Sequence, residues 1–264
     1  MKRARFLCSG MAILISAIAI GSEAADRPLR VLFIGNSLTL RQHMPFLLEQ
    51  VARSKGKQLT VDYSASRGGY ELSRHAKSPE SLAALKSQPW DYVVLQEHGA
   101  PPLVDPAAFR RSAAAWHEMI RATGAKTLLY ETSRTGDAQG FARPERQGPL
   151  TAAVQEVASE LRIPVAPVGR AFVDACRSAP GVQLFEKDNL HPSPEGAYLA
   201  ACVFYAVLFN DSPEGMGVRQ LKSPTGALVL DLEAIGERAR RLARAAWLTV
   251  EQDRSRPAGL AQPR

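Results

Sequence analysis

The sequence predicts an α/β fold, a three-layer α/β/α sandwich around a parallel five-stranded sheet. Three observations carry this. Short apolar segments of β-favouring residues recur between residues 29 and 168, and helical patterns lie between them. Most of these segments are close to continuously apolar, as strands buried on both faces of a parallel sheet must be. Alternation of this kind builds βαβ units.

Taken in order, the first strand is expected at Leu29–Ile34 and ends in Gly35-Asn36-Ser37, residue types that turn a chain and cap helices. A helix is expected over Arg41–Lys55. Gln58–Ala65 alternates apolar and polar residues and suits an edge strand. Helical patterns at Pro79–Ser87, Pro106–Thr123 and Leu150–Leu161 separate strands at Tyr92–Gln96, Thr127–Glu131 and Ile163–Val168. A short helix around Gly169–Arg177 follows. Ser193 at an N-cap with Pro194 after it then starts a helix running to Asn210. Its apolar stretch, Ala197 to Phe209, is too short for a membrane span and is expected to be buried. Residues 211–230 look loop-rich. Over 231–252, Leu232, Ile235, Ala239, Leu242 and Ala246 fall at helical steps and form an amphipathic helix. The polar, proline-bearing tail at 255–264 is expected to be disordered. No internal repeat is present.

The N-terminus is of another kind. Lys2, Arg3 and Arg5 precede an apolar run from Phe6 to Ile20, and Gly21-Ser22-Glu23-Ala24-Ala25 offers small residues where a signal peptidase cuts. Residues 1–25 are therefore expected to be a signal peptide, with the mature protein periplasmic or secreted and not inserted in the membrane. Cys8 comes too soon after Arg5 for a lipoprotein attachment site. Cleavage after Ala24 takes the formal net charge from +7 to +5. Much of that surplus lies in Glu237–Arg244, where a solvated helix face is favoured over a nucleic-acid site, because an exported protein meets little nucleic acid. For Cys176 and Cys202, export permits a disulfide, and buried free thiols fit equally well. The remaining chain of this 264-residue protein suits one domain at 26–210, with 211–254 packed on it.

In open α/β sheets, ligands bind beyond the carboxyl ends of the strands. Asn36-Ser37 follow the first strand; Ser66-Arg67-Gly68-Gly69-Tyr70 follow the second. Gln96-Glu97-His98-Gly99 end the third, and Thr132-Ser133-Arg134 the fourth. Asp188-Asn189-Leu190-His191 precede the apolar helix. Ser37 supplies a hydroxyl, His191 an imidazole able to take its proton, and Asp188 a carboxylate able to orient that ring. The order Ser, Asp, His is one of several that give this geometry.

Gly35-Asn36-Ser37, Gly68-Gly69 and Asp188-x-x-His191, with His-Pro-Ser-Pro-x-Gly-x-Tyr-Leu-Ala-Ala running on from His191, resemble the SGNH/GDSL hydrolase superfamily, in a branch whose first block reads GNS. The resemblance implies a flavodoxin-like sandwich and ester hydrolysis without a cofactor. It makes Ser37 the nucleophile, His191 the base and Asp188 its partner. The oxyanion donors would be the N–H groups of Ser37 and of Gly68 or Gly69. The third block departs: where most members carry an Asn, this chain has Leu95-Gln96-Glu97-His98, so Gln96 is assigned the missing amide. Losing one such donor costs on the order of 10²–10³ in turnover.

Asn36, Tyr70, Glu97, His98 and Arg134 are expected to line the substrate site. With export, they suggest a polar ester such as an acetylated carbohydrate, recognised partly by the loop at 132–148. The alternatives are a lipid esterase or thioesterase, or a non-catalytic carbohydrate-binding or cell-envelope protein on the same fold. His43 and His117 fall within helical patterns; His75 falls near the glycine turn. No spacing of ligands suggests a metal.

Overall fold

Described by a computed structural model, residues 27–255 exclude the expected signal segment and, apart from Ser255, the expected tail. The chain runs β1 (Leu29–Ile34), α1 (Ser37–Leu40), α2 (Met44–Ser54), β2 (Leu59–Asp62), α3 (Leu72–His75), α4 (Pro79–Lys86), β3 (Tyr92–Gln96) and α5 (Pro101–Val104). It continues through α6 (Pro106–Ala122), β4 (Lys126–Tyr130), α7 (Pro144–Leu161), β5 (Val165–Ala166), α8 (Val168–Ser178) and α9 (Pro194–Phe209). A hairpin, β6 (Gln220–Lys222) and β7 (Leu228–Asp231), leads to α10 (Leu232–Ile235) and α11 (Glu237–Arg254).

The strands of the main sheet lie in the order β2-β1-β3-β4-β5, every neighbouring pair parallel. This is the doubly wound flavodoxin-type order, whose switch point lies between β1 and β3. Successive side chains on a strand face opposite ways. Val31, Phe33, Val94, Leu128 and Tyr130 accordingly pack on one face with α2, α8, α9 and α11, while Leu32, Ile34, Val93, Leu95 and Leu129 pack on the other with Trp116 of α6 and Leu150 of α7. In α9 every residue from Glu195 to Ala206 is buried. The expected capping is present: Ser193 Oγ accepts from Gly196 N at 3.1 Å. Among the described residues no helix is long and apolar enough to cross a membrane.

The register matters for the site. Ile34 pairs with Leu95, and Leu95 with Leu129, so the carboxyl ends of β1, β3 and β4 finish nearly level. Their following residues meet along one edge.

Several expected boundaries moved. The helix expected from Arg41 is broken at Gln42 and His43, both left-handed (φ 55° and 53°), and α2 begins at Met44. Helix α7 starts at Pro144, six residues before expectation, with Pro149 inside it. Gly148-Pro149 reads as a stop, yet the helix runs on through Pro149, which only forgoes one main-chain bond to Glu145. The expected 231–252 helix breaks at Gly236 (φ 46°), and the loop-rich 211–230 contains the β6–β7 hairpin. Cys176 and Cys202 are both free thiols.

Candidate active site

Between β1 and α1 the backbone is held from every side. Asn36 is the N-cap: its Oδ1 accepts from Leu38 N at 3.1 Å and its Nδ2 donates to Tyr70 O at 3.0 Å. Its main-chain N–H donates to Gln96 Oε1 at 2.7 Å. The carbonyl of Gly35 accepts from Arg67 N at 3.0 Å and from His75 Nε2 at 2.9 Å. His75 is buried, its Nδ1 lies 2.8 Å from Ser81 Oγ, and burial lowers its pKa, so the neutral ring donates from Nε2. Gly35 was expected to serve a tight turn. Its φ is not positive, and the reason for glycine is space: a Cβ there would stand 2.6 Å from both Gln96 Oε1 and Thr39 Oγ1.

Ser37 is thereby the first residue of α1, and its N–H has no partner among the described residues. Its Oγ lies 2.9 Å from His191 Nε2. On the far side of the ring, Nδ1 lies 2.6 Å from Asp188 Oδ2. The other oxygen of Asp188 accepts from Leu190 N at 2.9 Å and His191 N at 3.0 Å. This turn passes through Asn189 in the left-handed region (φ 55°), which asparagine tolerates. The hydrogen bonds from His191 hold the Asp188 carboxyl well below the usual carboxylate range. With Asp188 ionised, Nδ1 carries the ring proton and Nε2 accepts from Ser37. Such a chain can lift the proton from Oγ as it attacks a carbonyl.

Other expected site residues fare differently. Gln96 is not presented to the cleft as an oxyanion donor: it is fully buried, its Oε1 accepts from Asn36 N and Thr39 Oγ1, and its Nε2 donates to Glu97 O at 2.7 Å. Glu97 does not line a substrate site either. It is buried, with its oxygens accepting from Leu72 N at 3.1 Å and His98 N at 2.7 Å, and burial raises its pKa to about 7. Asn36, also buried, has its whole amide committed to the backbone. Gly68 and Gly69 are exposed at a turn closed by Tyr70 N to Arg67 O at 3.2 Å, Gly69 having φ 70°. Tyr70 is half-buried, its ring between His75 (centroids 5.0 Å apart) and the Arg74 guanidinium (3.9 Å). His98 is half-buried. Half-buried Arg134 spends one nitrogen on Gly99 O at 2.9 Å, pinning the loop after β3.

Two contributors had no individual signal in the sequence, Gln42 and Glu186 beside the triad; His75, read from the sequence only as near the glycine turn, sits under Gly35. Glu186, Asp188 and His191 bring ligand-type atoms within 4.8 Å of one another. Asp188 is taken by His191 and Glu186 by Gln42 at 2.8 Å, so no separate metal centre is assigned there.

By sequence, no family model and no curated protein matches the chain. Solved structures do. A protein from Slackia heliotrinireducens assigned to the SGNH hydrolases is 32% identical, with a TM-score of 0.55, over 68% of this chain and 98% of that one. The chain belongs to the SGNH hydrolases. This SGNH hydrolase shares the parallel α/β sheet of its solved relatives. A DUF4886 family protein from Bacteroides uniformis shares its fold at 18% identity and a TM-score of 0.62, over 86% of this chain and 96% of that one. The acetyl xylan esterase AlAXEase does so at 16% and 0.55, over 68% and 100%.

Proposed function

We propose that this SGNH hydrolase is an exported serine esterase acting by two-step acyl transfer on short-acyl, chiefly acetyl, esters of carbohydrates. The mechanism is carried by one observation: Ser37 Oγ, His191 and Asp188 form an unbroken hydrogen-bonded chain of 2.9 and 2.6 Å. Ser37 attacks the ester carbonyl as His191 Nε2 takes its proton, and His191 returns that proton to the leaving alcohol. Water then attacks the acyl-enzyme by the same route. The oxyanion is bound by the unpartnered N–H of Ser37 and by an exposed N–H at Gly68 or Gly69. Gln96 takes no part.

Tyr70, His98 and Arg134 around the sheet edge favour a polar alcohol portion, and the fold is shared with an acetyl xylan esterase. Export is supported by the basic, apolar and small-residue order of residues 1–25. The test compares wild type with Ser37→Ala on acetylated sugars, on short and long p-nitrophenyl esters and on acyl-thioesters, with a fluorophosphonate probe as the active-site label. Labelling confined to wild type and fastest turnover of acetylated sugars are expected. Absence of labelling overturns the catalytic reading, and preference for long acyl chains overturns the substrate class. Recovery of the full-length chain in the cytoplasmic fraction overturns export.

A further inference from the structure

Glu186 stands two residues before Asp188 and takes no part in the acyl transfer just described. Yet one of its carboxylate oxygens lies within 4.8 Å of both a carboxylate oxygen of Asp188 and a ring nitrogen of His191. Its Oε1 accepts from Gln42 Nε2 at 2.8 Å, and its Oε2 lies 3.6 Å from Arg41 Nη1. Its main chain closes the triad loop: its N–H donates to His191 O at 2.8 Å, and its carbonyl accepts from Asn189 N at 2.9 Å. Arg41 and Gln42 directly follow α1, which begins with Ser37. Gln42 and His43, both left-handed, turn that stretch toward the Glu186 loop at the point where a regular helix would carry it away.

We propose that Glu186 is a positioning residue for this acyl transfer, tying the loop that bears the base to the turn that bears the nucleophile and adding a second negative charge beside the imidazole. The inference rests on the reading of Ser37 and His191 as nucleophile and base. As the Oγ–acyl carbon bond forms, the Ser37 proton passes to Nε2 while Nδ1 keeps its own. The ring goes from neutral to singly positive, and Glu186, unchanged in protonation, then faces a cation. A carboxylate within 5 Å of a half-exposed cation stabilises it appreciably and in a salt-dependent way.

The charged residues of the segments that meet there are Asp188, Glu186 and Lys187 on the His191 loop, Arg41 and His43 after α1, and Glu195 at the start of α9, which pairs with Arg238 of α11. The 132–148 loop, whose Gly136 N donates to Asn189 O at 2.8 Å, adds Arg134, the Asp137–Arg143 pair and Arg146. Among them, Arg41 alone is paired directly with Glu186, so the two substitutions should act in opposite directions.

The test uses Glu186→Gln, which keeps an acceptor for Gln42 and removes the charge, beside Glu186→Ala and Arg41→Gln. For Glu186→Gln at low salt, kcat should fall about 3- to 10-fold with KM nearly unchanged. The midpoint of the acid limb of the pH–rate profile should drop by about half a unit to one unit, and the drop should shrink in 1 M salt. Arg41→Gln should raise that midpoint, and Glu186→Ala should lose more kcat than Glu186→Gln. NMR titration of the His191 ring, assigned with His191→Ala, reads the same midpoint without turnover. A ring midpoint unmoved in Glu186→Gln, in an enzyme that still takes the fluorophosphonate label, overturns this inference and leaves the esterase standing. If wild type takes no label, both fall.

Discussion

Asn36 and Ser37 are adjacent and do opposite work. Asn36 is buried and spends its side chain on Leu38 N and Tyr70 O, while Ser37 offers its hydroxyl to His191 and caps nothing. Ser37→Ala should therefore abolish turnover and leave the melting temperature nearly unchanged. Asn36→Ala should lower kcat and also cost about 1–2 kcal/mol, the usual loss for an N-cap whose partners are left buried, measured by denaturant unfolding. Ser37, Asp188 and His191 were legible in the sequence because hydroxyl, carboxylate and imidazole stood in order at strand ends. Gln96 was misread for a physical reason: a strand-end amide looks the same in sequence whether it faces the cleft or, as here, the N–H of Asn36.

Around β4, α8 and α11 the elements are joined by charge. The fully buried carboxylate of Glu131 accepts from Arg170 N at 3.1 Å and Nε at 3.0 Å, and from Thr151 Oγ1 at 2.9 Å, while Arg170 Nη1 reaches Asp253 at 2.6 Å. Burial raises the pKa of Glu131 and the Arg170 charge opposes that rise, so removing the guanidinium strands an acid in the core. Arg170→Met should destabilise by about 3–5 kcal/mol in denaturant unfolding, and restoring neutrality with Glu131→Gln in the same chain should recover part of it. No periodicity signals such a junction, since its members are far apart in sequence. Helix and strand cores were legible from apolar spacing. The break at Gln42-His43 was not, because neither residue marks a turn as Gly or Asn would, and Gln42 reaches Glu186 on a loop far away in the chain.

Across the whole molecule, pH acts on folding through its buried acids, among them Glu97, which links the end of β3 to the start of α3 by accepting from Leu72 N. Its folded pKa of about 7, raised by burial, stands above the ordinary value of 4.5, so the folded state holds its proton longer than the unfolded chain. Stability from this group is greatest below about pH 4.5 and declines as pH rises toward 7, by on the order of 1 kcal/mol per pH unit inside that window. Thermal melts between pH 4.5 and 8 should show a shallower slope in Glu97→Gln than in wild type, other buried acids such as Glu131 still contributing; equal slopes in both would remove the assignment. The sequence by itself determined the three-layer parallel sheet, the apolar helix α9 and the order of Ser37, Asp188 and His191, since strand burial, helix caps and residue chemistry are local properties. Only the tertiary structure decided which polar groups are free to act. Gln96, Glu97 and Asn36 were all candidates at one sheet edge, and contacts between segments distant in the chain committed each of them, and His75 with them, to holding the backbone, leaving Ser37 and His191 facing one another.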